Sequence, residues 1–395
     1  MKVAVVNIGS ILTGDLAAPF AAGDVIVMNE GRIETIGTDC PPDCDVVIDA
    51  AGTVAMPGLI DSHVHITFGD YTPRQRTVGF LESYVHGGVT TAISASEVHV
   101  PGRPRDPAGV KALAVAAMKS FAEYRPGGMR VHAGSLILEP GLTEADFAEL
   151  AALGVWMVKA GFGDFTDPDE YAPFVAMARA HGMVSMVHTG GSSIPGSSGI
   201  WAENLLAIRP DVSYHVNGGP TAMPEAGFAR LVEESEIALQ VCTAGNLRTT
   251  LLTAELLTGA GALERLLIAT DTPTGSGIMP LGIFYTISHL VSLGGMAPEI
   301  AVAAATGNNA RVYRLNSGIL APGRDADLVL IDACAGGSQD DALSGLRNGD
   351  IPAVGAVVTA GVPRFVGRSR NTPQTQRTVR VAHSNVVERF DGAAH

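Results

Sequence analysis

With 395 residues, 46% of them apolar, the chain can fill the core of one large α/β domain and of a smaller partner without covalent staples. A formal net charge of −14 argues against nucleic acid and acidic membrane surfaces as partners, because both bind through excess Lys and Arg, and leaves a small molecule as the expected ligand. Cys40, Cys44, Cys242 and Cys334 are too few and scattered for a disulfide framework, no apolar run is long enough to span a membrane, and "MKVAVVNIGSILTGD" lacks a signal-peptide pattern, so a cytoplasmic protein is expected.

Residues 2–57 alternate β-branched runs with turn residues ("VAVVNIG", "DVIVMNEGRIETIG", "VVIDAAG"), which predicts small antiparallel strands with "NEGR" as a hairpin turn. From residue 58 the rhythm changes. "LIDSHVHI" precedes a helix near 76–86, "VTTAISAS" one at 107–124, "RVHAGSLIL" one at 143–153 and "GVWMVKA" one at 169–181. "MVSMVHT" then precedes 200–208, "VSYHVNG" 224–235, "IALQVCT" 247–261 and "LLIATDT" 279–293. Eight strand-helix units are the rhythm of a closed parallel (β/α)8 TIM-like barrel, with a doubly wound sheet as the alternative. After a helix near 298–311, "SGILAPGRDADLVLID" and "VGAVVTAGVPRFV" return to strand character. The expected organisation is therefore a small β-domain from 1–57 and 316–367, a barrel over 58–315, and an extended C-terminal tail over 368–395, which is polar and weakly periodic.

His63 and His65 stand two residues apart in the first predicted barrel strand, so their side chains share a face, ~6.6 Å apart along the chain. Alone, such a pair is equally open to a structural reading. His188 ends the fifth strand, His215 lies in the sixth and Asp271 ends the eighth, and in such barrels chemistry collects at the C-terminal strand ends. Imidazoles and a carboxylate together suit one or two divalent ions, Zn2+ first, with Fe2+ or Mn2+ poorly discriminated. Lys159 is one of four lysines beside 22 arginines, yet it falls inside the apolar "GVWMVKAGF". A lysine buried there tends to lose its proton, and a neutral amine can add carbon dioxide to form a carbamate whose two oxygens bridge a metal pair; the bland alternative is a head that snorkels out to a carboxylate. His86 and His181 precede glycine at predicted helix C-termini and read as structural. His132 stays open between pocket and core, His99 in the loop after the second strand is a candidate substrate contact, and "CPPDC" reads as a turn.

These residues, in this order, resemble the amidohydrolase superfamily: "PGLIDSHVH", Lys159, His188, His215, "ATDTP" around Asp271, and "GILAPGRDADLVLID". The resemblance implies a metal-dependent hydrolase barrel with a small β-sandwich built from both termini. Within the superfamily, "GDYTPRQRT", "HGGVTTAIS", "HVPGRPRDPAGVKAL", "GLTEADF", "HTGGSSIPGSS", "NGGPTAM" and "RSRNTP" resemble loops of the bacterial enamidases. That branch implies hydrolysis of the cyclic enamide 6-oxo-1,4,5,6-tetrahydronicotinate to 2-formylglutarate and ammonia, by a metal-activated hydroxide, in a homotetramer. A cyclic amidase of the dihydropyrimidinase, hydantoinase or lactamase type is the alternative. The implied roles are His63 and His65 on one ion, His188 and His215 on the other, carbamylated Lys159 between them, and Asp271 as ligand and proton carrier. For the ring carboxylate of the substrate, Arg74 is the leading partner, with Arg103 and Arg105 behind it; Tyr71, Thr189, Gly190 and Asn217 are expected to line the pocket.

Overall fold

The computed structural model describes residues 1–66, 79–96, 102–192, 197, 199–218, 221–273 and 277–386. Both chain ends contribute to two mixed sheets. One has the order Arg380–Ser384, Val46–Asp49, Lys2–Val6, Val25–Asn29, Arg32–Gly37; the other runs Val362–Val366, Ala353–Thr359, Leu328–Asp332, Val54–Pro57, Ser10–Leu12, Phe20–Ala21. Alternate residues of both, among them Val3, Val5, Ile26, Ile48, Leu328 and Val358, bury into a single core. The expected "NEGR" hairpin joins Asn29 to Arg32, with Glu30 and Gly31 at φ 48° and 77°, the two left-handed positions of a type I′ turn.

Two features differ from the sequence expectation. The strands are not all antiparallel: Lys2–Val6 runs parallel to Val46–Asp49, and Ser10–Leu12 parallel to Val54–Pro57, because the connections between them cross over the sheet. The C-terminal segment also contributes a strand, Arg380–Ser384, which pairs antiparallel with Val46–Asp49 while Val379 and Val381 pack against the core.

Eight parallel positions lie between these ends. Leu59–Val64, Val89–Ser94 and Arg130–His132 form one sheet; Ser135–Ile137, Met157–Ala160, Val184–His188, Val212–Tyr214, Ala238–Cys242 and Leu266–Ala269 form another, each strand beside the next in chain order. Arg130–His132 and Ser135–Ile137 are two halves of the third position. The chain leaving the eighth strand returns to the first: Asp271 N donates to His63 O at 3.0 Å, His65 N donates to Thr272 O at 2.9 Å, and Val64 bridges Thr272 in parallel. Apart from the ends of Arg130–His132, these strands are buried along their length on both faces, as parallel strands covered by helices are. One face carries Ile60, Ile93, Met157, Met186 and Leu267 in a compact inner cluster, and the other packs the helices. Helix starts are set locally: Asp106 accepts from Gly109 N at Pro107–Glu123, and Thr143 with Asp146 forms a capping box at Glu144–Leu153. Among the described residues no helix is long and apolar enough to cross a membrane.

Candidate metal centre

His63 and His65, at the C-terminal end of the first parallel strand, aim at the residue that follows the eighth. His63 Nε2 lies 3.1 Å and His65 Nε2 3.0 Å from the same oxygen, Asp271 Oδ1. The ligand atoms of all three residues fall within 4.8 Å of one another. Asp271 sits at φ 56° and His215 at φ 35°, left-handed conformations that cost a non-glycine residue about 1–3 kcal/mol and persist only where neighbours enforce them.

For Asp271 the neighbours are identifiable. Buried Asp61 accepts from Thr270 N at 3.0 Å, Thr270 Oγ1 at 2.6 Å and His63 N at 3.3 Å, tying the first strand to the eighth. Thr270 Oγ1 is 2.7 Å from Thr272 Oγ1, Thr272 Oγ1 meets the Tyr84 hydroxyl, and that hydroxyl accepts from Met279 N. Burial pushes Asp61 up to about 7 against the pull of its donors. In its charged form Asp61 only accepts, so the hydroxyls point one way, Tyr84 to Thr272 to Thr270 to Asp61. The residues on either side of Asp271 are thus clamped, and its carboxylate is left facing the imidazoles.

His188 ends the fifth strand, and its Nδ1 lies 3.0 Å from Nε2 of His215, while its Nε2 donates to Gly191 O at 2.9 Å. The His63 and His215 rings are 5.3 Å apart, so the two imidazole pairs share one site. Gly161 lets the fourth strand approach: at φ 109°, a Cβ there would stand 2.5 Å from His188 Cβ. Burial lowers His63 and His188 to about 4 and His215 well below its ordinary value, leaving neutral imidazoles with lone pairs available.

Lys159 is 1% exposed in Met157–Ala160, with Nζ 4.0 Å from the Tyr214 ring centre and 5.6 Å from that of Phe162. The same Tyr214 ring lies 4.1 Å from that of His63 and the same Phe162 ring 5.4 Å from that of His188, so the amine is flanked by rings that touch both pairs. It forms no ion pair among the described residues, in contrast to the snorkelling alternative. Burial lowers it to about 7, with Asp271 pulling the other way. Neutral nitrogen donors and a carboxylate converging at His63, His65 and Asp271, with a second imidazole pair beside them, fit a divalent cation.

The residues expected to line the pocket fare differently. Asn217 is fully buried: its Nδ2 donates to Cys242 O at 3.0 Å and Thr250 Oγ1 at 2.8 Å, and its Oδ1 accepts Cys242 N at 3.0 Å, so the amide clamps two walls together instead of facing a ligand. Thr189 Oγ1 is 2.7 Å from Ser213 Oγ, and the N–H and C=O of Gly190 are both spent on Ile200. Arg105 makes an exposed pair with Asp164 at 3.2 Å. Arg103 is buried against Glu139 and the carbonyl of Phe162, binding the second-strand loop to the third and fourth strands, and is not free for a substrate carboxylate. Tyr71, Arg74 and His99 lie outside the described residues. His132 packs edge-on to Trp156 at 5.5 Å, with burial lowering it to about 4, and belongs to the core. His86 stacks on Phe365 at 4.4 Å and its carbonyl accepts Ser369 Oγ; His181 Nε2 is 3.9 Å from Glu144.

Sequence reasoning passed over Asp61, Tyr84, Tyr214 and Gln240. Asp61, Tyr214 and Gln240 are polar side chains inside buried strands, and that oddity was the available signal; Tyr84, in "FLESYVH", carries none.

Residues 54–371 match the amidohydrolase family. The chain is 43% identical over 384 residues to the enamidase of Eubacterium barkeri, covering 96% of this chain and 99% of that protein. It is 29% identical to the imidazolonepropionase of Salinispora arenicola, over 83% of this chain and 91% of that one. Among solved structures it resembles the crystal structure of enamidase with a TM-score of 0.92 and 42% identity, over 96% of this chain and all of that one.

Proposed function

Because the chain belongs to the amidohydrolase family, whose members are metal-dependent, we propose that it is an enamidase, a hydrolase that opens the cyclic amide of 6-oxo-1,4,5,6-tetrahydronicotinate or a close analogue. The observation that carries this reading is the convergence of His63 Nε2 and His65 Nε2 on Asp271 Oδ1, in a chain similar to enamidase along nearly its whole length. In this reading the eight parallel strands close as a (β/α)8 barrel, supported by the Val64–Thr272 bridge, with the site at its C-terminal mouth. The two mixed sheets, built from 1–57 and 316–367 with the Arg380–Ser384 strand added at one edge, form a β-sandwich beside it.

His63, His65 and Asp271 would hold one ion, His188 and His215 the other, and Lys159 as a carbamate would bridge them. Zn2+ is the first choice for these donors. Two such ions, when bound, would supply an activated water near neutral pH and would polarise the amide carbonyl. Asp271 takes the proton that the attacking water gives up and delivers it to the ring nitrogen as the C–N bond breaks. One water is consumed in forming the new carboxylate, and the nitrogen departs as an enamine. Tautomerisation to the imine and addition of a second water release ammonia and leave 2-formylglutarate. Tyr214 and Phe162 wall the amine of Lys159 and keep bulk water from it. A cytoplasmic homotetramer is the assembly this reading carries, and light scattering checks its size.

Loss of the ultraviolet absorbance of 6-oxo-1,4,5,6-tetrahydronicotinate, followed with metal-replete protein beside dihydrouracil and a simple lactam, tests the substrate. Turnover of the first alone is expected. Turnover of dihydrouracil or the lactam in its place would overturn the enamidase assignment and leave a different cyclic amidase.

A further inference from the structure

The imidazole of His63 has a second nitrogen, which faces away from Asp271 and toward the seventh strand. On Ala238–Cys242, Gln240 and Cys242 stand two residues apart and so face the same way, into the space beneath His63. Gln240 is fully buried, and its Oε1 lies 2.9 Å from His63 Nδ1. The other end of the amide is held too: Gln240 Nε2 donates to Ser62 Oγ at 2.8 Å, and the Cys242 thiol approaches Oε1 at 3.5 Å.

We infer that Gln240 is a positioning residue that fixes the tautomer of His63. A carbonyl oxygen only accepts, so His63 Nδ1 carries the ring proton and Nε2 keeps its lone pair on the side of Asp271. Turned round, the amide would present N–H groups to Nδ1 and to the Cys242 thiol, and the ring proton would move to Nε2, the one atom that must be free for an ion. Ser62 Oγ anchors the far end of the amide and so keeps the Gln240 side chain in place beneath the ring. His188 is served by the same chemistry, since its remote nitrogen donates to a carbonyl, that of Gly191. In both cases a neutral oxygen is used where a carboxylate would add charge beneath the ligand, so His63 is oriented without further negative charge next to Asp271 and Lys159.

This inference rests on the proposed role of His63 as a ligand, and the test separates the two. Full-length protein is stripped of metal, and Co2+ binding is measured by competition with a chromophoric chelator and by its visible spectrum, for wild type, Gln240→Met, Gln240→Glu and His63→Ala. Gln240→Met keeps the length and removes the acceptor; it is expected to weaken one of two ions roughly 10–100-fold and to alter the spectrum of that ion only. Gln240→Glu keeps the acceptor and should restore the binding. Wild-type affinity in Gln240→Met, or equal losses in Met and Glu, would overturn the positioning role. If His63→Ala keeps both ions, the ligand reading itself fails; if it loses one and Gln240→Met loses none, only the present inference fails. Should Gln240→Met not fold, Ser62→Ala carries the test: a several-fold weakening of the same ion supports the role, and unchanged affinity overturns it.

Discussion

Replacing Lys159 by Met should stabilise the metal-free protein. Burial holds this amine at about 7 where an unconstrained lysine titrates at 10.5, so between those values the unfolded chain binds a proton that the folded chain does not. Stability of the metal-free protein therefore rises with pH across that window; the penalty is at full size at and below pH 7 and gone above 10.5. At ~1.4 kcal/mol per pKa unit, the full penalty is roughly 5 kcal/mol. Methionine removes it and also forfeits the cation–π contact with Tyr214, worth about 0.5–2 kcal/mol, which leaves a gain of about 3 kcal/mol. Urea unfolding of chelator-treated wild type and Lys159→Met, in buffer free of carbon dioxide, measures this at pH 7 and at about pH 9.5. The variant should be the more stable at pH 7, with a gap that shrinks as pH rises. A variant no more stable than wild type at pH 7, or a gap that ignores pH, would refute the reasoning that this amine is buried at a cost the metal site alone justifies.

Three further outcomes bear on the same site and its frame. Lys159→Ala should lose ring opening and regain part of it with added short carboxylic acids, and intact mass of the metal-loaded wild type should include one carbon dioxide; absence of both would remove the bridging carbamate. Asp271→Asn should lower kcat by about 10²–10⁴ in the absorbance assay, since an amide cannot carry the proton. Arg103→Met leaves Glu139 buried without its partner and should destabilise the protein by about 3–5 kcal/mol in urea, whereas Arg105→Ala, at an exposed pair, should cost less than about 1 kcal/mol.

The residues legible in the sequence were those whose placement depends on strand geometry alone. His63 and His65 share a face because alternation requires it, and Lys159 stands out because an ammonium does not belong in an apolar strand. What the sequence did not display is which side chains use up their hydrogen bonds on the scaffold. Asn217 reads as a pocket amide until the seventh strand and the Leu247–Ala260 helix are laid beside it, whereupon Cys242 and Thr250 consume it. Arg103 reads as a loop cation until Glu139, 36 residues on, is found at the end of the third strand's turn to meet it. Pairing partners across strands are a property of the fold, and a linear reading sees only one member of each pair.

The same distinction separates ion binding from substrate choice. Asp61 with its threonine chain and Gln240 each hold an atom remote from the point where His63, His65 and Asp271 converge, and the Gly191 carbonyl does the same for His188. The strained backbone at Asp271 is maintained by the Asp61 contacts on either side of it. A site set by its scaffold selects ions by donor type, with little conformational adjustment left to contribute. Substitutions at Asp61, Thr270 or Gln240 should then weaken ions without distinguishing substrates, while the substrate-reading groups belong to the strand-end loops, where insertions and exchanges leave the buried anchors untouched. A family that keeps this frame and varies those loops can move between cyclic amides while retaining one hydrolytic centre.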